Sequence, residues 1–140
     1  MSRQRGWLYV AEAVDRRKLI VIVEDDPRLA EMFTDILSLF GRWRLSIFSD
    51  GQTARDKLPA MGADLILLDV GLPVLDGSSL YKMLRGHSNT RHTPIIVITG
   101  SHEWELHRMG LQAGLLLRKP FNIQELISII RALLPDEKES

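Results

Sequence analysis

LIVIVEDDP (Leu19–Pro27) runs five apolar residues, four of them β-branched, straight into Glu24, Asp25 and Asp26. A short unbroken run of this kind reads as a strand buried on both faces. Pro27 then suits the first turn of a helix. The pattern returns in LILLDVGLP (Leu65–Pro73), PIIVITG (Pro94–Gly100) and LLLRKPF (Leu115–Phe121). Each run delivers a polar residue at its end: Asp69, Thr99 and Lys119 respectively. In an open α/β sheet, ligands bind at the carboxyl ends of the strands. Carboxylates, one hydroxyl and one lysine therefore converge there, a set suited to a hard cation and a phosphoryl group.

The segments between these runs read as helices, with one further strand. Leu29, Met32, Phe33, Ile36, Leu37 and Phe40 recur at helical spacing, and Gly41 stops the helix. Arg44–Phe48 reads as the second strand. Asp50 lies in a turn and can cap a helix over Thr53–Ala60. Ser78 or Ser79 is expected to cap a helix carrying Leu80, Met83 and Leu84. A less periodic helix is expected over 103–111, and Asn122 caps a last helix faced by Ile123, Leu126, Ile127, Ile130, Leu133 and Leu134. The strands are placed at Leu19–Val23, Arg44–Phe48, Leu65–Leu68, Pro94–Ile98 and Leu115–Leu117. Five βα units with buried strands imply a doubly wound parallel sheet with helices on both faces.

The 140 residues make one domain, and 18 basic residues balance 18 acidic ones. Zero formal net charge does not draw the chain toward nucleic acid or an anionic membrane. The absence of cysteine excludes disulfide and thiolate chemistry. No apolar run reaches the roughly 18 residues of a membrane span, and a cytoplasmic address is expected. The boundaries expected are an extension over 1–18, a domain over 19–135 and a charged tail over 136–140. Within the extension, Trp7, Val10, Ala11 and Val14 share one helical face. It reads either as a linker or solvated tail, or as a short helix that packs on a partner or a second copy.

Asp69 alone is as readily a cap as a reactive group. Its company decides. Strands one and three are expected to be neighbours, which brings Asp25 to Asp69. Crowded carboxylates repel and raise each other's pKa, and a divalent cation removes that cost. Oxygen donors without His or Cys favour Mg²⁺ over zinc. Lys119, with Pro120 after it, suits neutralisation of a phosphoryl group, and Thr99 can donate a hydrogen bond to one.

VEDDP, LLDVGLPVLDG, PIIVITG and RKPF, in that order, closely resemble the receiver domain of two-component response regulators over residues 19–134. The resemblance implies a flavodoxin-like sheet of strand order 2-1-3-4-5, with Asp69 as phosphoacceptor. It implies Mg²⁺ held by Glu24, Asp25, Asp69 and the backbone carbonyl of Gly71, with Thr99 and Lys119 contacting the phosphoryl group. The phosphodonor would be a histidine kinase or a phosphotransfer protein. A homodimer would form through the fourth predicted helix, the fifth strand and the last helix. Three departures stand out. Leu116 occupies the usual aromatic position, the segment before Lys119 is about two residues short, and an acidic residue common there is missing. Leu116 is expected to be buried, and the loop 100–103 with Trp104 to report activation.

Two other readings compete. One is a degenerate receiver acting only as an interaction module. The other is an aspartate-nucleophile phosphatase, disfavoured because Gly71 stands where a second acid belongs. A signalling phosphoacceptor rather than an enzyme is the expectation. His102, Glu103 and His107 miss the metalloprotease spacing by one residue, and His87 and His92 read as surface residues. The reading expects no nucleic-acid or membrane contact from this chain.

Overall fold

The computed structural model describes residues 15–70, 76–100, 107 and 115–135. Strands β1 (Leu19–Val23), β2 (Arg44–Phe48), β3 (Leu65–Asp69), β4 (Ile95–Thr99) and β5 (Leu115–Arg118) form one parallel sheet in the order β2-β1-β3-β4-β5. The helices described are α1 (Pro27–Phe40), α2 (Gly51–Lys57), α3 (Gly77–Gly86) and α4 (Ile123–Leu133). His107 is helical, but the rest of the helix expected over 103–111 lies outside the described residues, as do residues 1–14 and the tail over 136–140. No helix among the described residues is long and apolar enough to cross a membrane.

Alternation along each buried strand builds two cores. Val21, Val23, Ile66, Leu68 and Val97 pack with Ala54 of α2 and with Leu80 and Leu84 of α3. Ile20, Ile22, Leu65, Leu67, Ile96 and Ile98 pack with Phe33 and Leu37 of α1 and with Leu126, Ile127 and Ile130 of α4. Phe33 and Leu37 are fully buried, each contributing about 1.5–3 kcal/mol of transfer free energy.

Helix boundaries follow local chemistry. Asp26 caps α1, its side chain accepting from the Arg28 N–H at 2.9 Å, with Pro27 at the first position. At the other end the Gly41 N–H donates to Leu37 O at 3.1 Å. A Cβ on Gly41 would lie 2.5 Å from the Trp43 ring, so glycine lets that ring fold back on the helix end. The helix expected over Thr53–Ala60 starts earlier and splits. Asp50 caps it, accepting from the Thr53 N–H at 2.7 Å, and the α-helix gives way to a 3₁₀ turn at Leu58–Ala60. Pro59 has no N–H to continue the ladder.

The cap of α3 is a correction. Asp76, not Ser78 or Ser79, is the cap. Its carboxylate accepts from the Ser79 N–H at 2.8 Å and from the Ser78 hydroxyl. Those bonds hold the Asp76 carboxyl below its usual range. Gly77 follows, and its N–H donates to Val70 O at 3.2 Å. A Cβ there would lie 2.6 Å from Asp69 O and would overlap Val70 Cα, both backbone atoms that cannot swing aside. Gly77→Ala should therefore destabilise the fold by about 1–3 kcal/mol. The check is a denaturant titration, and an unchanged midpoint would refute this account of the close approach.

Candidate functional site

The carboxyl ends of β1, β3, β4 and β5 bring the expected residues together. Glu24 follows β1 directly, its N–H donating to Phe48 O of β2 at 2.9 Å. This bond turns the side chain into the sheet end, where the residue is 2% exposed. Asp25 is exposed, and Asp26 caps α1. Asp69 closes β3, paired in register with Ile98, and is buried. Oxygens of Glu24, Asp25 and Asp69 lie within 4.8 Å of one another.

Lys119 comes from the far side of the sheet. Its Nζ donates to Asp69 Oδ2 at 3.3 Å and stands 3.8 Å from Glu24 Oε1, beyond hydrogen-bond reach. Its own N–H donates to Thr99 O at 2.7 Å. Thr99 is buried at the end of β4. Gly71, expected to offer its backbone carbonyl, lies outside the described residues, as do the 101–103 stretch and Trp104. Leu116 departs from expectation. It is half-buried, packed against the core shared with α2 and α3.

Electrostatics single out Glu24. Burial first, and then the Asp69 carboxyl beside it, push the Glu24 carboxyl from an ordinary 4.5 up to about 8, against the pull of Lys119 and the Asp26 N–H. Its Oε1 is buried and accepts no hydrogen bond. A buried carboxylate oxygen without a donor is costly. Three convergent carboxylates, one with such an oxygen, fit a small hard cation that takes oxygen ligands, as Mg²⁺ does. The donor set holds neither His nor Cys.

The sequence reading did not single out Gly77 or Asp76. Together they return the chain to Val70 and Asp69 and set where β3 ends. The DG pair was visible in LLDVGLPVLDG, but the close approach that requires glycine is a tertiary fact.

Known proteins resemble this chain in sequence and fold. The chain is 34% identical over 120 residues to the DNA-binding response regulator MtrA of Mycolicibacterium smegmatis, covering 84% of this chain and 51% of that one. It is 38% identical over 118 residues to the transcriptional regulatory protein CpxR of Escherichia coli, covering 82% of this chain and 48% of that one. The chain thus spans about half the length of these curated relatives. Among solved structures, the receiver domain of the sensor histidine kinase PA1611 from Pseudomonas aeruginosa superposes with a TM-score of 0.77 at 30% identity, covering 86% of this chain and 99% of that one. That structure holds a magnesium ion in its active-site cleft. The chemotaxis response regulator CheY4 of Vibrio cholerae gives a TM-score of 0.74 at 27% identity, over 84% and 99% of the two chains. The family pattern of the response regulator receiver domain matches residues 20–131, nearly the whole sheet and its helices. A match of that extent, on a sheet of this order, establishes that the chain belongs to the response regulator receiver domain family.

Proposed function

We propose that residues 19–135 act as a phosphoacceptor domain, flanked by an extension over 1–18 and a tail over 136–140. The carrying observation is the Asp69 carboxylate, held at the sheet end between Lys119 at 3.3 Å and the acidic pair that follows β1. A histidine kinase or a phosphotransfer protein presents a phosphohistidine. An Asp69 oxygen attacks the phosphorus, a P–O bond forms as the P–N bond breaks, and the imidazole leaves with a proton. Lys119 neutralises a phosphoryl oxygen, and Thr99 donates a hydrogen bond to another. Mg²⁺, held by Glu24, Asp25, Asp69 and the Gly71 carbonyl, supplies further neutralising charge when bound. Hydrolysis of the acyl phosphate resets Asp69.

The output is a change of contacts rather than turnover of a substrate. The surface proposed for a partner or a second copy includes β5 and α4. The proposal includes a cytoplasmic address and no nucleic-acid or membrane contact by this chain. The DNA-binding named for the relatives belongs to those proteins.

Acetyl phosphate with Mg²⁺ should add a single phosphoryl group, read by intact mass, and no addition would refute the proposal. Lys119→Ala should keep the fold, because the side chain is 34% exposed. Its rate of phosphoryl uptake should fall on the order of a hundredfold, the usual effect of removing one pre-placed charge-stabilising group. Uptake and partner binding both at the parental level would remove Lys119 from the mechanism.

A further inference from the structure

The opposite end of the sheet carries a second polar site that phosphoryl transfer to Asp69 does not use. A cleft of about 500 Å³ opens at the amino ends of β1 and β2, lined by Arg16, Arg17, Lys18, Arg42 and Arg131 over an apolar floor that includes Trp43 and Leu134. Five-residue strands put it roughly 17 Å from the carboxylates. Its volume lies in the range of small-molecule sites, about 300–1,000 Å³.

Charge decides what fits. Arg17 is taken by Asp15 at 2.6 Å, and Lys18 is engaged as well. Helices α1 and α4 both end at the cleft, and each helix C-terminus carries roughly half a negative charge. Together they offset about one of the three remaining guanidinium charges. Arg131 meets part of that need, donating to Phe40 O at 2.8 Å with its guanidinium over the Phe40 ring. Among the described residues the lining of the cleft keeps a surplus of positive charge. Arg16 and Arg42 are exposed and have no acidic partner among the described residues. A phosphate monoester carries about −1.5 to −2 at neutral pH, and the guanidinium fork matches its oxygens. Trp43 is 9% exposed, so it closes the floor and offers no free ring face. Recognition therefore rests on the phosphate.

We propose that this cleft binds a small phosphate monoester, its phosphate held by Arg16, Arg42 and Arg131. The test is a ¹H–¹⁵N titration of the 140-residue chain in EDTA, with AMP, glucose 6-phosphate and adenosine as probes. The Trp43 indole N–H and the amides of residues 40–44 should shift saturably with the two phosphates and not with adenosine. Tighter binding of AMP would identify a nucleotide as the source, and equal binding a phosphate ester without regard to its organic group. The Arg16→Ala/Arg42→Ala double variant should bind at least about tenfold more weakly, while still taking up phosphoryl at Asp69. High salt should weaken binding to the parent chain as well. No saturable shift, a shift unchanged in the double variant, or shifts centred on Val23–Asp26 would each overturn the proposal.

Discussion

Asp69→Asn should reduce phosphoryl uptake below detection while leaving the fold intact. The amide keeps the shape of the carboxylate but has no oxygen able to form an acyl phosphate, so the loss is one of chemistry. Stability should hold or rise, because Asp69 is one of the groups that crowd Glu24. Against that gain stands the lost contact with Lys119, a partly exposed pair of modest worth. Intact mass after treatment with acetyl phosphate and Mg²⁺ reads the first outcome, and thermal unfolding reads the second. A variant labelled as fully as its parent would move the acceptor elsewhere.

The second large effect is a pH dependence centred on Glu24. Its folded-state pKa, about 8, lies above the ordinary 4.5. Its contribution to stability is therefore fully present below about pH 4.5 and is lost as pH rises through about 8. The size is on the order of a few kcal/mol, given a shift of more than three units in a buried group. Metal-free protein should melt progressively lower across that window, and Glu24→Gln should flatten the decline. Cation binding runs the other way, because Mg²⁺ must displace the Glu24 proton. Apparent Mg²⁺ affinity should be tens-fold weaker, to order of magnitude, at pH 6 than at pH 8.5. Calorimetry in two buffers of different ionisation enthalpy would count the proton released. Equal affinities at both pH values would mean that Glu24 is already ionised without the metal.

What was legible in the chain tracks how local its cause is. β1, β3 and β4 were placed within about a residue because buried apolar runs and their polar ends sit in consecutive positions. Asp50 and Asn122 mark their helix starts by short-range hydrogen bonds, which sequence shows well. Asp76 was missed because Asp76, Ser78 and Ser79 can all accept at a helix start. Only the extended backbone at Asp76 decides among them. Leu116 was expected to be buried, but strand position does not reveal how much of a side chain its neighbours cover. At the site, the residue types and their order were readable, whereas the orphaned Glu24 oxygen and the 3.8 Å stand-off of Lys119 arise only from packing. The basic cleft was least legible of all. Arg16 and Arg17 read as charges on a terminal extension, and nothing local links them to Arg42 or Arg131.

The strand order also sets how the two sides of the site yield under load. β1 and β3, at whose ends the carboxylates lie, each have a ladder partner on both sides, while among the described residues β5 pairs only with β4. An edge strand opens locally at lower cost than a central one. Lys119 hangs just past that edge, tied back by the 2.7 Å bond from its N–H to Thr99 O. In mechanical terms the site is a vice with one fixed jaw and one compliant jaw. On the proposed phosphoacceptor reading, a new charge clamped at Asp69 would be accommodated by travel of the Lys119 jaw, and the bond to Thr99 would make β4 the element that feels the pull.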